Sequence, residues 1–222
     1  MKVRDDNSPS RLNHPPLNHP IVEQSFAAID REMGPHCFDP AEYAIARRVI
    51  HSTADFEFKE LLRFGEGAIA GAIAALQRQL PIVVDVSMVR QGIATMVGKT
   101  FQNPILTAVE AADAPLPGKT RTETGLWRCW EQFPDAIYVI GNAPTALLAL
   151  CEVAQIAVTQ PALVIGAPVG FVSVLEAKAA LANTTLPQIR VEGRKGGSSV
   201  AAAIVNALLV LAWEDAIVGV RG

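Results

Sequence analysis

Cysteine is scarce: Cys37, Cys129 and Cys151 are the only three in 222 residues. An odd count without a C-x-x-C pair offers neither a disulfide framework nor a thiolate metal site, so no metal is expected. Three reduced thiols fit a cytoplasmic protein. Aromatic residues make up only 6% of the chain, and its 19 Lys and Arg residues form no basic stripe. That excludes the footprint of a nucleic-acid binder. No apolar run of about 18 residues stands out, so no membrane span is expected. The N-terminus lacks the apolar segment of a secretory signal. No repeat of fixed period is present either.

What is present is a large apolar complement, 50% of residues, against a net charge of −3. That suffices for one sizeable core. Residues 1–19 are polar and rich in Pro, Asn and His ("NSPSRLNHPPLNHP") and are expected to be a mobile tail. His14 and His19 within it read as solvated side chains, not ligands. Residues 20–222 then read as one α/β domain. "HPIVEQSFAAIDREMG", "FDPAEYAIARRVIH" and "GEGAIAGAIAALQRQL" have helical patterns. In the second, Asp39, Pro40 and Glu42 stand where an N-cap, a first helical residue and a capping-box partner belong.

Short apolar runs follow: "PIVVDV", "PILTAVE", "AIYVIG", "ALVIGA" and "QIRVEG". Helical segments lie between the later ones. Runs of this length and composition, alternating with helices, predict a mainly parallel sheet in a three-layer α/β/α arrangement.

Ligands of such sheets bind beyond the carboxyl ends of the strands. "SMVRQGI", "GNAPTAL", "GAPVGFVS" and "GRKGGSSVAAA" follow four of the strands. All carry glycine, and three lead into helices rich in small residues. Glycine admits close backbone approach, and free N–H groups at helix starts attract anions. Turn formation alone accounts for one or two such loops. Four suggest a cleft for a large, multiply anionic ligand, with Asn142, Arg194 and Lys195 at its helix starts and loops. "GRKGGSS" is not a P-loop, because no Gly-Lys-Ser/Thr closes it. "FGEGAIAG" imitates a dinucleotide fingerprint, with Asp85 ending an apolar run 20 residues after Gly65. However, Gly71 comes one position late, and the preceding "FEFKELLRF" is too charged for a central strand.

His51 ends the second helix, with Arg47 and Arg48 four and three residues before it. The helix C-terminus favours protonation of the imidazole and the arginines oppose it. A proton-moving histidine and an ordinary terminal histidine both fit that spacing.

"RVIHSTADFEF", "IVVDVSMVRQGI", "TRTETGLW", "VIGNAPTALLAL", "PALVIGAPVGFVSVLEAK" and "VEGRKGGSSVAAAIVNALL" together resemble the precorrin-8X methylmutases of cobalamin biosynthesis. The resemblance runs from about residue 20 to about residue 212. It implies a flavodoxin-like fold and a homodimer with active sites near the subunit interface. It also implies an isomerase that moves the C-11 methyl group of a corrinoid ring to C-12. Precorrin-8X would give hydrogenobyrinic acid, or cobalt-precorrin-8 cobyrinic acid. No cofactor is implied, because any cobalt belongs to the substrate. By the same resemblance His51 is the proton donor and acceptor, and Ser25, Arg48, Thr120, Arg121 and Thr122 contact substrate. Thr122 stands where the family pattern has serine. Phe171, Val169 and Met88 are candidates for apolar walls beside the macrocycle. The segment "ETGLWRCW", residues 98–118 and Ser173-Val174-Leu175 depart from the family pattern. A corrinoid carrier and a dinucleotide-dependent oxidoreductase are the competing functions.

Overall fold

The computed structural model describes residues 17–219, so His14 lies outside the described residues. Nine α-helices, six strands and one 3-10 turn (Ala108–Glu110) are described: α1 (Pro20–Glu32), α2 (Pro40–Thr53), α3 (Phe58–Leu61), β1 (Leu62–Phe64), α4 (Ala68–Gln77), β2 (Ile82–Val84), α5 (Ser87–Lys99), β3 (Ile105–Thr107), α6 (Arg121–Gln132), β4 (Ile137–Ile140), α7 (Pro144–Ile156), β5 (Leu163–Gly166), α8 (Val174–Ala182), β6 (Gln188–Val191) and α9 (Ser198–Gly219). The sheet order is β1-β6-β5-β4-β2-β3. All pairings are parallel except β1 with β6. Counted from β2, the parallel strands run 2-1-3-4-5, the flavodoxin-like order, and the order reverses between β2 and β4.

The apolar runs form buried strands because both sheet faces are covered. Ile82, Val84, Ile137, Val139, Leu163 and Ile165 join one core with α1, α2, α4, α5 and α9. Val83, Tyr138, Ile140 and Val164 point the other way, into a core with α6, α7 and α8. The alternation follows the two-residue period of a strand.

The capping box of α2 forms as the residues dictate. Asp39 Oδ1 accepts from the N–H groups of Ala41 and Glu42, and Glu42 Oε2 accepts from Asp39 N–H. His19 is not simply solvated: its Nδ1 accepts from Ile21 N–H at 3.2 Å and caps α1.

Two elements depart from the sequence pattern. "FEFKELLRF" contains a strand after all, but β1 is a three-residue antiparallel edge. An edge tolerates charge, and Arg63 pairs with Glu192 at 2.8 Å. α9 is 22 residues long and apolar enough by length and composition to cross a membrane, against the expectation that no such run exists. More than half of it is buried in the protein. Val200, Ile204, Leu208 and Leu209 fill the core beneath α2, α4 and α5.

Gly92 marks where α5 crosses α9, since a Cβ there would lie 2.7 Å from Ala202 Cβ. Gly125 is tighter: a Cβ would fall 1.7 Å from the Ala108 carbonyl oxygen, which belongs to fixed backbone. Gly125→Ala will therefore destabilise the fold by about 1–3 kcal/mol or more. Gly71→Ala, on α4 with nothing within 4 Å, will stabilise it by about 0.4–1 kcal/mol. Urea denaturation of the two variants reads the opposite signs.

Candidate active site

Three sequence-predicted residues gather where α1 meets α2. The Phe26 ring lies between the helices, 4% exposed. The His51 ring stands edge-on to it at 5.5 Å. The guanidinium groups of Arg47 and Arg48 lie 4.4 and 5.4 Å from the Phe26 centroid. Ser25 is the next residue on α1, and its hydroxyl donates to Ile21 O at 3.0 Å. Arg48 Nη2 donates to Asn18 Oδ1 at 2.7 Å. Burial lowers the basicity of Arg48, against the opposing charge of Glu23. His51 itself is exposed. Its helix ends at Ala54, whose φ of 54° is left-handed, a region that disfavours non-glycine residues by about 1–2 kcal/mol.

A second group stands at the switch point. Asp85 follows β2 and is fully buried. Its Oδ2 accepts from the N–H groups of Asn142 at 2.6 Å and Ala143 at 2.8 Å. Burial pushes its carboxyl upward in pKa, and the surrounding N–H groups oppose that shift. Asp85 thus shapes the β4–α7 turn and leaves the Asn142 side chain exposed. Its role was readable only as an acid closing an apolar strand, the same signal that made it mimic a dinucleotide site. That site does not form. β1 is antiparallel, so Gly65 lies beside Gln188 at the amino end of β6, away from the parallel strands' carboxyl ends.

Thr120 caps α6 by a reciprocal box with Glu123. Its Oγ1 lies 3.0 Å from Thr145 Oγ1, which joins the starts of α6 and α7. Arg121 Nε donates to Ala112 O at 2.7 Å, and the residue is exposed; Thr122 is half-buried. Thr120, Arg121, Thr122 and Asn142 therefore belong to the α6–α7 layer, whereas His51, Arg48 and Ser25 belong to the opposite one.

The loops after β5 and β6 span the rim between these layers. Gly197 N–H donates to Ala167 O at 2.8 Å, and Gly170 N–H to Arg194 O at 3.2 Å. Gly196 (φ 150°) passes so close that a Cβ would meet Ala167 O at 2.4 Å. From α8, Lys178 reaches beneath, 4% exposed, and donates to Gly193 O and Lys195 O, both at 2.7 Å. Arg194 is exposed, its guanidinium 5.9 Å from the Phe171 ring centroid. Lys195 instead lies between Asp55 and Glu57, 2.6 Å from each. Met88, Val169 and Phe171 leave apolar side chains exposed here, at 72%, 46% and 88%. A cavity of about 500 Å³ between the α1–α2 loop and β1 is separate. It reaches Glu42 in the first turn of α2, whereas His51 is in the last.

The buried Lys178 ammonium makes a prediction. Burial pushes its pKa from 10.5 down to about 8. Between those values the folded chain holds fewer protons than the unfolded one, so this group's contribution to stability rises with pH across that window. Urea denaturation at about pH 7.5 and about pH 9.5 will show the parent gaining stability relative to Lys178→Met.

The profile of the family described as "Precorrin-8X methylmutase" matches residues 20–211. The chain is 59% identical to a cobalt-precorrin-8 methylmutase of Synechocystis, over 90% of this chain and 99% of that protein. It is 38% identical to a precorrin-8X methylmutase of Pseudomonas aeruginosa, over 85% of this chain and 93% of that one. The crystal structure of a precorrin-8X methylmutase from Thermus thermophilus superposes with a TM-score of 0.82 at 42% identity, covering 88% of this chain and 97% of that one. With the profile spanning nearly all the described residues, and with the same fold in a solved relative, the chain belongs to the precorrin-8X methylmutase family.

Proposed function

We propose that this chain is the isomerase that converts cobalt-precorrin-8 to cobyrinic acid by moving the C-11 methyl group to C-12. The observation that carries this reading is His51, exposed at the end of α2 on the strand-end rim, with Arg48 against the same phenylalanine. The relative named for the cobalt substrate is 59% identical to this chain, against 38% for the one named for precorrin-8X, which favours the cobalt substrate.

The chemistry suits these residues. The methyl group breaks its bond to C-11 and forms one to C-12 within a single molecule, so no nucleophile is required. His51 donates a proton to the macrocycle and recovers one, leaving no net change in protons. The acetate and propionate arms of the ring need cationic and N–H partners. Arg48, Arg121 and Arg194 provide charge, and the start of α6 provides N–H groups. Thr120, Thr122 and Asn142 provide neutral polar contacts. Met88, Val169 and Phe171 provide apolar surface for the ring face. No resident cofactor is part of this scheme, and any cobalt enters with the substrate. The enzyme is proposed to work in the cytoplasm as a homodimer whose subunits meet beside this exposed apolar rim. Sedimentation equilibrium will then read twice the chain mass of 23.7 kDa, and a single-chain mass would remove the dimer.

Turnover of cobalt-precorrin-8 and of precorrin-8X, followed by absorption, tests the reaction. The parent will convert the cobalt form faster, and His51→Ala will lose about 10²–10⁴-fold in rate while still binding product. Arg48→Met and Arg121→Met will each weaken product binding by about 1.5–3 kcal/mol. Binding without conversion of either precursor by the parent would make the chain a corrinoid carrier.

A further inference from the structure

Lys195 belongs by sequence to the anion contacts, yet its side chain is turned to the protein itself. Its ammonium sits 2.6 Å from Asp55 Oδ2 and 2.6 Å from Glu57 Oε2. Both carboxylates lie in the turn that ends α2, four and six residues after His51. That turn is held from one side by local bonds and by the core: Ala54 N–H donates to Ile50 O at 2.7 Å, and Phe56 and Phe58 pack inward. Ala54 adopts the left-handed conformation without the freedom of glycine. Asp55 N–H reaches Thr53 Oγ1 at 3.3 Å, and Glu57 N–H reaches Asp55 Oδ1 at 2.9 Å. A left-handed alanine persists only where its surroundings over-determine it. Lys195 adds a constraint on the turn's solvent side, from 140 residues away in sequence.

An exposed ion pair is ordinarily weak, because two long side chains must be immobilised. Here the backbone that carries Lys195 is already fixed. Its own carbonyl accepts from the buried Lys178 ammonium, and the neighbouring Arg194 and Gly197 are bonded to the β5 loop. One cation also serves two carboxylates of the same turn.

We propose that Lys195 is a positioning residue for His51. Its ammonium ties the β6–α9 loop to the turn closing α2, and so fixes where the imidazole stands on the rim. The proposal rests on the reading of His51 as the proton-moving group. Its structural half is measurable without any corrinoid.

The test uses Lys195→Met, Lys195→Arg and the double variant Asp55→Asn/Glu57→Gln. Amide hydrogen exchange on the ligand-free protein should accelerate at least about tenfold over residues 51–57 in Lys195→Met and in the double variant. Exchange in β2 and β4 should be unchanged, and Lys195→Arg should stay near the parent. With substrate, kcat should fall about tenfold or more in the same two variants, while product affinity stays within about threefold. Unchanged exchange over 51–57 overturns the proposal. So does a tenfold loss of product affinity in Lys195→Met with kcat preserved, which would make Lys195 a substrate contact. A parent that turns over neither precursor defeats the proposed function instead, and the exchange measurement still decides the tether.

Discussion

A parallel sheet with no polar face has to be covered twice, and the rest of this molecule follows from that constraint. β2, β4 and β5 are buried along their whole length. Parallel neighbours can be joined only by crossovers, so helices must lie on both faces. Each crossover helix that leaves a strand's carboxyl end begins at the same rim. The first turns of α5, α6, α7, α8 and α9 are thereby assembled along one edge of the molecule. An affinity for anions is thus built in before any basic side chain is considered.

The rim is shaped by charges buried just beneath it. Asp85 and Lys178 are each more than nine-tenths buried, and among the described residues neither is paired with an opposite side chain. Each is bonded to main chain: the carboxylate to N–H groups of the β4–α7 turn, the ammonium to carbonyls of the β6–α9 loop. Burying a lone charge is costly unless its bonds are well made. That cost is spent on ordering glycine-containing loops, which lose more conformational freedom than any other backbone. Rigid loops result where flexible ones would be expected from composition.

Local rules made much of this legible. The capping box at Asp39 and Glu42, the strand-length runs of β2, β4, β5 and β6, and the cluster His51–Arg48 depend on neighbours within a few residues. What escaped depends on distant partners. β1 is three residues long, and its pairing with β6 is set about 130 residues later. α5 contains Gly92 and Gly98, which weaken its helical signal, and Gly92 is explained only by Ala202 across the crossing. Lys195 beside glycines looks like a free anion ligand until the chain brings Asp55 and Glu57 to it. Nothing local distinguishes α9 from a membrane span, since its apolar girdle is matched by helices that come far earlier in the chain.

That last feature has a temporal side. α2, α4 and α5 are complete by Lys99, whereas the helix that fills the space between them begins at Ser198. During synthesis the apolar faces of the earlier helices must wait for about 100 further residues, on the order of 5–20 s at ordinary elongation rates. The faces of α2, α4 and α5 that pack on α9 therefore lack their partner throughout that interval. Its final collapse is set by translation, when the longest apolar helix clears the ribosome, and any chaperone that assists this protein has its substrate before that moment.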